Sequence, residues 1–253
     1  MSNSYIHPDE HFQSLEVLAN KILGYETNIP WEFTNGAPAR SYGPLYITYG
    51  PILYLTKALN LDLTPIQIWY IIRLQVCLIS WLMTDFCLYW MLPVKHERIK
   101  AIFFTLTSFV TLVFQDHLFS NSIETVLLIC AIYIIDDLRY IQENPDLYGV
   151  EKTNSIFALG ALVACGIFNR ITFPAFLVLP GWFVLKYLYN HVLSLVPLAL
   201  GFLAPSIAFV LFDTWMYQSS NYVITPLNNL MYNANPDNLK LHGLHPLYTH
   251  VPV

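Results

Sequence analysis

Residues 66–92 read IQIWYIIRLQVCLISWLMTDFCLYWML, an apolar run whose only charged side chains are Arg73 and Asp85. About 20 apolar residues are enough for a helix to cross the hydrocarbon of a bilayer. The run is therefore read as a transmembrane helix. Outward from it, further apolar runs cover 101–116, 122–138, 153–169, 173–189 and 192–212, each near that length. Across its 253 residues the chain is 55% hydrophobic and only 11% charged, where about 25% charged residues is usual for a soluble domain. An all-α, polytopic helical membrane protein follows.

The stretch 44–59 is shorter, divided by Pro51 and rich in tyrosine. It is read as a helix lying at the interface, the depth aromatic rings prefer. If it does not cross, the Lys95, Arg98 and Lys100 cluster falls on the cytosolic side, together with Arg139, Lys152 and Lys186, as the positive-inside rule favours. Three regions result: 1–62, a luminal loop with amphipathic and interfacial helices; 63–212, a bundle of about six spans; and 213–253, a luminal tail read as an incomplete loop. The net charge of −5 and the lack of a basic run exclude nucleic acid as a partner. Cys77, Cys87, Cys130 and Cys165 lie far apart in apolar stretches, so buried thiols are expected rather than a disulfide framework or a metal site.

With this parity, polar groups gather on one noncytosolic face, and convergent polar groups outline a site. The segment His7-Pro8-Asp9-Glu10-His11-Phe12-Gln13-Ser14 pairs two acids at the start of an amphipathic segment. Read locally, Pro8 suits a first helical turn, Asp9 and Glu10 suit its positive end, and Phe12, Leu15, Ala19 and Ile22 recur at helical spacing. Glu32 in Trp31-Glu32-Phe33 with Arg40-Ser41 reads as an aromatic anchor with a solvated charge pair, or as part of the site. Asn121 and Glu124 stand three apart at a helix start, a capping arrangement. Arg170 reads equally as a ligand for a lipid phosphate and as a snorkelling arginine at a span end. Asp213 opens the tail, where His242 and His245 beside Gly243 suit phosphate or a sugar hydroxyl.

In this order and spacing the motifs, with Ser120-Asn121-Ser122-Ile123-Glu124-Thr125 and Arg170-Ile171-Thr172, resemble the dolichyl-phosphate-mannose-dependent mannosyltransferases of the GT-C superfamily. The His-Pro-Asp-Glu form leans toward the branch that builds glycosylphosphatidylinositol (GPI) anchors. The resemblance implies a multi-pass enzyme of the endoplasmic reticulum membrane with a luminal active site. Its implied reaction moves mannose from dolichyl phosphate mannose to a GPI precursor glycolipid, as the fourth, α-1,2-linked mannose, by one inverting displacement without a cofactor. A third GPI mannose, lipid-linked oligosaccharide assembly, and an inactive or nonenzymatic fragment stay open as alternatives. Family members are longer, with a span before the acidic loop and more beyond the tail, so a truncated chain is expected. Asp9 or Glu10 would be the base. Arg170, His242 and His245 would hold the donor phosphate, and His7, Gln13, Glu32, Arg40, Asn121, Glu124 and Asp213 would shape the site.

Overall fold

Thr64 and Pro65 begin the long helix α4 (Pro65–Met91) for stated chemical reasons: proline needs no amide partner in the first turn, and Thr64 and Gln67 cap one another. The Thr64 amide donates to Gln67 Oε1 at 2.8 Å. In this computed structural model, which describes residues 6–34, 36–144, 146 and 151–241, every regular element is helical.

Before α4 come α1 (residues 11–23), α2 (Tyr42–Thr48) and α3 (Gly50–Ala58). Pro8 sits just ahead of α1, its carbonyl accepting the His11 and Phe12 amides. The helix is wound with wide i→i+5 turns over His11–Leu15 and Ala19–Leu23. Leu15, Ala19 and Ile22 of the expected face are buried, joined by Val17 and Leu18, whereas Phe12 at its start is 39% exposed. Gly24, at φ 77°, stops α1 in the left-handed region, and Lys57 Nζ donates to the Ile22 carbonyl at 2.6 Å. The stretch 44–59, read as interfacial, is a pair of short helices meeting at Tyr49, with Pro51 in the first turn of the second.

After α4 follow α5 (Lys95–Thr107), α6 (Phe109–Phe114), α7 (Ser120–Glu143), α8 (Thr153–Asn169), α9 (Phe173–Phe176), α10 (Gly181–Asn190), α11 (Leu195–Met216), α12 (Thr225–Ala234) and α13 (Pro236–Leu241). Two runs read as single helices are broken. Ser108, extended at ψ 134°, divides 101–116, and the turn before Gly181 divides 173–189, where Pro174 and Pro180 each lack an amide donor. The region after Asp213 is more helical than its turn-forming composition suggested, since α12 and α13 occupy it. Two helices, Pro65–Met91 and Val192–Met216 with its leading turn, are long and apolar enough to cross a membrane, and Thr153–Asn169 is a shorter apolar helix.

Two apolar cores hold these helices. One gathers α1, α2, α3 and the first half of α4 around Tyr42, Tyr49 and Ile72; the other joins α7, α8 and α10 around Leu138, Ile156 and Tyr187. Full burial of one such aliphatic side chain stabilises by about 1.5–3 kcal/mol. The crossing of α8 and α11 is backbone on backbone. A Cβ on Gly160 would meet the Leu198 carbonyl, and one on Gly201 would meet the Phe157 carbonyl. Small residues at a crossing of apolar helices allow this approach.

Helix direction sorts the polar ends. Arg73 on α4 meets the segment just before α7, and Cys87 meets Cys130, so α4 and α7 run parallel. Lys152 pairs with Asp137 at 3.2 Å where α7 ends and α8 begins. The start of α7 and the end of α8 lie together at the other end, where Asn169 Nδ2 donates to the Ser120 carbonyl at 2.9 Å. That second end carries the candidate site.

Candidate active site

Asp9 and Glu10 are adjacent, and one helical step of about 100° sends them in different directions. Glu10 points inward and is fully buried. Its Oε2 lies 2.7 Å from His117 Nδ1, and its Oε1 accepts the Leu118 amide at 3.3 Å. His117 Nε2 in turn lies 3.0 Å from Arg73 Nη2, which also donates to Asp116 Oδ2 at 2.6 Å. Arginine can only donate, so His117 Nε2 accepts, and Nδ1 carries the proton given to Glu10. A buried chain Glu10–His117–Arg73–Asp116 thus ties the acidic loop to α4. Asp9 stays half-exposed. Its amide donates to His7 Nδ1 at 3.2 Å, its carboxyl lies 3.4 Å from the same nitrogen, and the residue lines a small cleft with Gln13, Arg40, Ser120 and Asn169.

Arg40 is held from two sides. Its Nη2 donates to Gln13 Oε1 at 2.8 Å and its Nε to Glu32 Oε1 at 3.3 Å. Glu32 closes the loop by accepting the Ala39 and Arg40 amides on its carbonyl. The same loop is clamped from beyond α11. Tyr217 donates to the Arg40 carbonyl at 2.7 Å, and Asn228 and Asn229 of α12 donate to the carbonyls of Pro38 and Ala39. Asp213 is fully buried between two helix starts: Oδ1 accepts the Tyr42 amide at 2.9 Å and Oδ2 accepts the Thr225 hydroxyl at 3.1 Å. A carboxylate there satisfies orphan donors and faces the positive ends of α2 and α12. Burial first, and the Asp213 charge second, push the Tyr42 phenol up to about 12.

Arg170 follows α8 and turns to the start of α7. Its Nε lies 3.3 Å from Glu124 Oε2, and its Nη1 donates to Ser120 Oγ at 3.2 Å and to Asn121 Oδ1. Thr172 donates to the other Glu124 oxygen at 3.4 Å. The capping reading of Asn121 and Glu124 is corrected. The cap lies two residues earlier, at Phe119, and no side chain caps the helix. Both polar groups are turned instead to the arginine.

These pieces share one continuous surface. Arg40 and Arg170 line a cavity of about 480 Å³ with Glu32, Thr172 and Asn229. Arg40, Phe168 and Asn169 also border the cleft of Asp9. On the far side, Ile167, Phe168, Ile171, Pro226 and Leu230 are shared with an apolar groove of about 640 Å³ between α8, α11 and α12. A carboxyl, two guanidinium groups and an apolar trough therefore follow one another.

The structure brings together Asp9, Gln13, Glu32, Arg40, Asn121, Glu124 and Arg170, and places His7 at the rim and Asp213 beneath. Glu10 joins the buried chain. His242 and His245 lie outside the described residues. Among the described residues, no three His, Cys, Asp or Glu side chains gather as a metal-binding set. Sequence reasoning noted Arg73 only as a charge in a span and missed Asp116 and His117. The signal was present: an arginine inside an apolar helix needs buried partners.

The Alg9-like mannosyltransferase family matches over residues 1–253. The chain is 58% identical to GPI mannosyltransferase 4 of Candida albicans, covering 100% of this chain and 53% of the relative. It is 52% identical to the protein of that name from Debaryomyces hansenii (100% and 50% covered) and 42% identical to that of Saccharomyces cerevisiae (99% and 49% covered). The chain spans about half the length of these curated relatives. No solved structure matches it. The chain belongs to the Alg9-like mannosyltransferase family.

Proposed function

We propose that this member of the family carries the base and donor-phosphate sites of an enzyme that adds the fourth, α-1,2-linked mannose to a GPI precursor. The donor is dolichyl phosphate mannose, and the reaction takes place on the luminal face of the endoplasmic reticulum membrane. One observation carries the reading: the cleft of Asp9 runs past Arg40 and Arg170 into the apolar groove of α8, α11 and α12. A sugar joined through phosphate to a long isoprenoid has those three parts in that order.

The chemistry is a single displacement. An acceptor hydroxyl oxygen bonds to the anomeric carbon as the bond from that carbon to the phosphate oxygen breaks. Its electron pair leaves on dolichyl phosphate, and Asp9 takes the hydroxyl proton. Asp9 suits this role because it lines the cleft and is half-exposed, while both oxygens of Glu10 are occupied in the interior. Such a base contributes about 100- to 10,000-fold. Planar guanidinium groups match phosphate oxygens, and Arg170 Nη2, which carries none of the bonds described above, is the donor assigned to them. This step requires no cofactor.

The test places these 253 residues within a full-length relative, in membranes of cells lacking the activity, and follows radiolabelled mannose from dolichyl phosphate mannose. Label in a three-mannose GPI precursor, lost with Asp9→Asn, supports the proposal. Label in another acceptor, or none at all, refutes it.

A further inference from the structure

The opposite face of α1 borders a second cavity, of about 800 Å³, which the proposed displacement does not use. Its walls come from Pro8, His11 and Glu16, from Tyr25 to Thr27 after the Gly24 turn, and from Trp69 on α4. Three polar atoms at this wall are buried without a hydrogen-bond partner: Glu16 Oε2, Thr27 Oγ1 and Trp69 Nε1. Trp69 is 6% exposed, with Arg73 over its ring at 4.6 Å and His11 5.7 Å from its centroid. A fixed indole N–H without an acceptor carries an unmet desolvation cost, which a ligand group would relieve.

The geometry points to a binding site for a neutral, hydroxyl-bearing sugar residue of the acceptor glycan, held by Glu16, Thr27 and Trp69. Three features select that chemistry. A hydroxyl can donate to the Glu16 carboxyl and accept from the Trp69 N–H, which an acyl chain cannot do. The ring's C–H face can lie on the aromatic wall formed by Tyr25 and His11. A phosphate is disfavoured, because Glu16 and Glu26 line the cavity and no lysine or arginine among the described residues does. The cavity of about 480 Å³ on the other side reverses this pattern with Arg40 and Arg170. The two faces of α1 thereby divide recognition between a polyol and an anion. Asp9 faces the opposite wall, across a helix about 10 Å thick. The bound residue is therefore an inner one, whose capture sets how far the acceptor reaches toward Asp9.

Naming this sugar as part of the acceptor rests on the mannosyltransferase reading. The test uses Glu16→Gln, Thr27→Val and Trp69→Phe in the full-length background. Transfer kinetics give separate KM values for donor and acceptor, and saturation-transfer NMR follows mannotriose binding to the detergent-solubilised protein. Glu16→Gln and Thr27→Val should each raise the acceptor KM about tenfold, leave the donor KM unchanged and weaken the mannotriose signal. If Trp69→Phe fails to fold, the two isosteric wall variants still decide. A protein that transfers no mannose but binds mannotriose through these residues sinks the transferase reading and keeps the sugar site. The site proposal is overturned if mannotriose binding ignores all three variants, if inorganic phosphate competes with it, or if a cross-linker at residue 27 captures another segment of the same protein.

Discussion

Glu10 and His117, 107 positions apart, meet at 2.7 Å in the interior, and this contact separates the duties of two adjacent acids. With Glu10 held inward, Asp9 is the carboxyl left at the cleft. The same contact fixes the loop on which Asp9 stands, because His117 is itself held by Arg73 at 3.0 Å.

Asp9→Asn keeps the size of the side chain and removes its basicity. In the full-length background it should reduce mannose transfer about 100- to 10,000-fold. Thermal stability in detergent should stay at the wild-type value, because Asp9 is half-exposed and its neighbour is His7 at the rim. Transfer near the wild-type rate would move the base elsewhere.

His117→Ala should show the opposite profile. It strips a partner from Glu10 and from Arg73, both fully buried. Removing one member of a buried charged set typically costs about 3–5 kcal/mol. Protein level and melting temperature should fall together, with transfer lost as a consequence. Glu10→Gln should be milder, since an amide oxygen can still accept from His117. A His117→Ala protein as stable as wild type would mean that the chain does not brace the loop.

Much of this arrangement was legible in residue chemistry. Apolar length gave the helix at Pro65–Met91 and the bounds of Thr153–Asn169, and Pro51 marked the break between α2 and α3. The polar residues from His7 to Arg170 pointed to one face because helix parity alone brings them there. What stayed hidden depends on long-range geometry. The ranking of Asp9 against Glu10 follows from a rotation that only the packed helix defines. The role of Asn121 and Glu124 was masked by an equally good local capping pattern, which lost because Arg170 arrives from 49 positions away.

Arg170→Lys keeps a cation and loses the planar fork. Lysine cannot bridge Ser120, Asn121 and Glu124 while reaching a phosphate, so the donor KM should rise about 10- to 100-fold. Arg170→Ala should be worse, because it also leaves Glu124, 5% exposed, without its cation. A rise confined to the acceptor KM would assign Arg170 to the other substrate.

Sidedness is testable in a background free of the four native cysteines. Glu97→Cys, beside Lys95 and Arg98 at the start of α5, should react with an impermeant maleimide from the cytosol. A cysteine at Tyr25, at the site end of the molecule, should react only after the lumen is opened. The reverse labelling pattern would put the cleft of Asp9 on the cytosolic face and end the luminal proposal.

The crossing of α8 and α11 supports the apolar groove, so its glycines bear on function as well as stability. A methyl on Gly201 points at the Phe157 carbonyl, and backbone cannot rotate aside as a side chain can. Overpacking of this kind costs about 1–3 kcal/mol where neighbours relax, and more where they do not. Gly201→Ala should therefore lower the melting temperature, and Gly201→Val should lower it further. Because α8 and α11 form two walls of the groove, the surviving protein should also bind dolichyl phosphate mannose less tightly, with the acceptor KM unchanged. Gly181→Ala is the matched control: nothing lies within 4 Å of its added carbon, and its backbone is helical. If Gly201→Val and Gly181→Ala behave alike in both measurements, the close crossing is not what holds the groove.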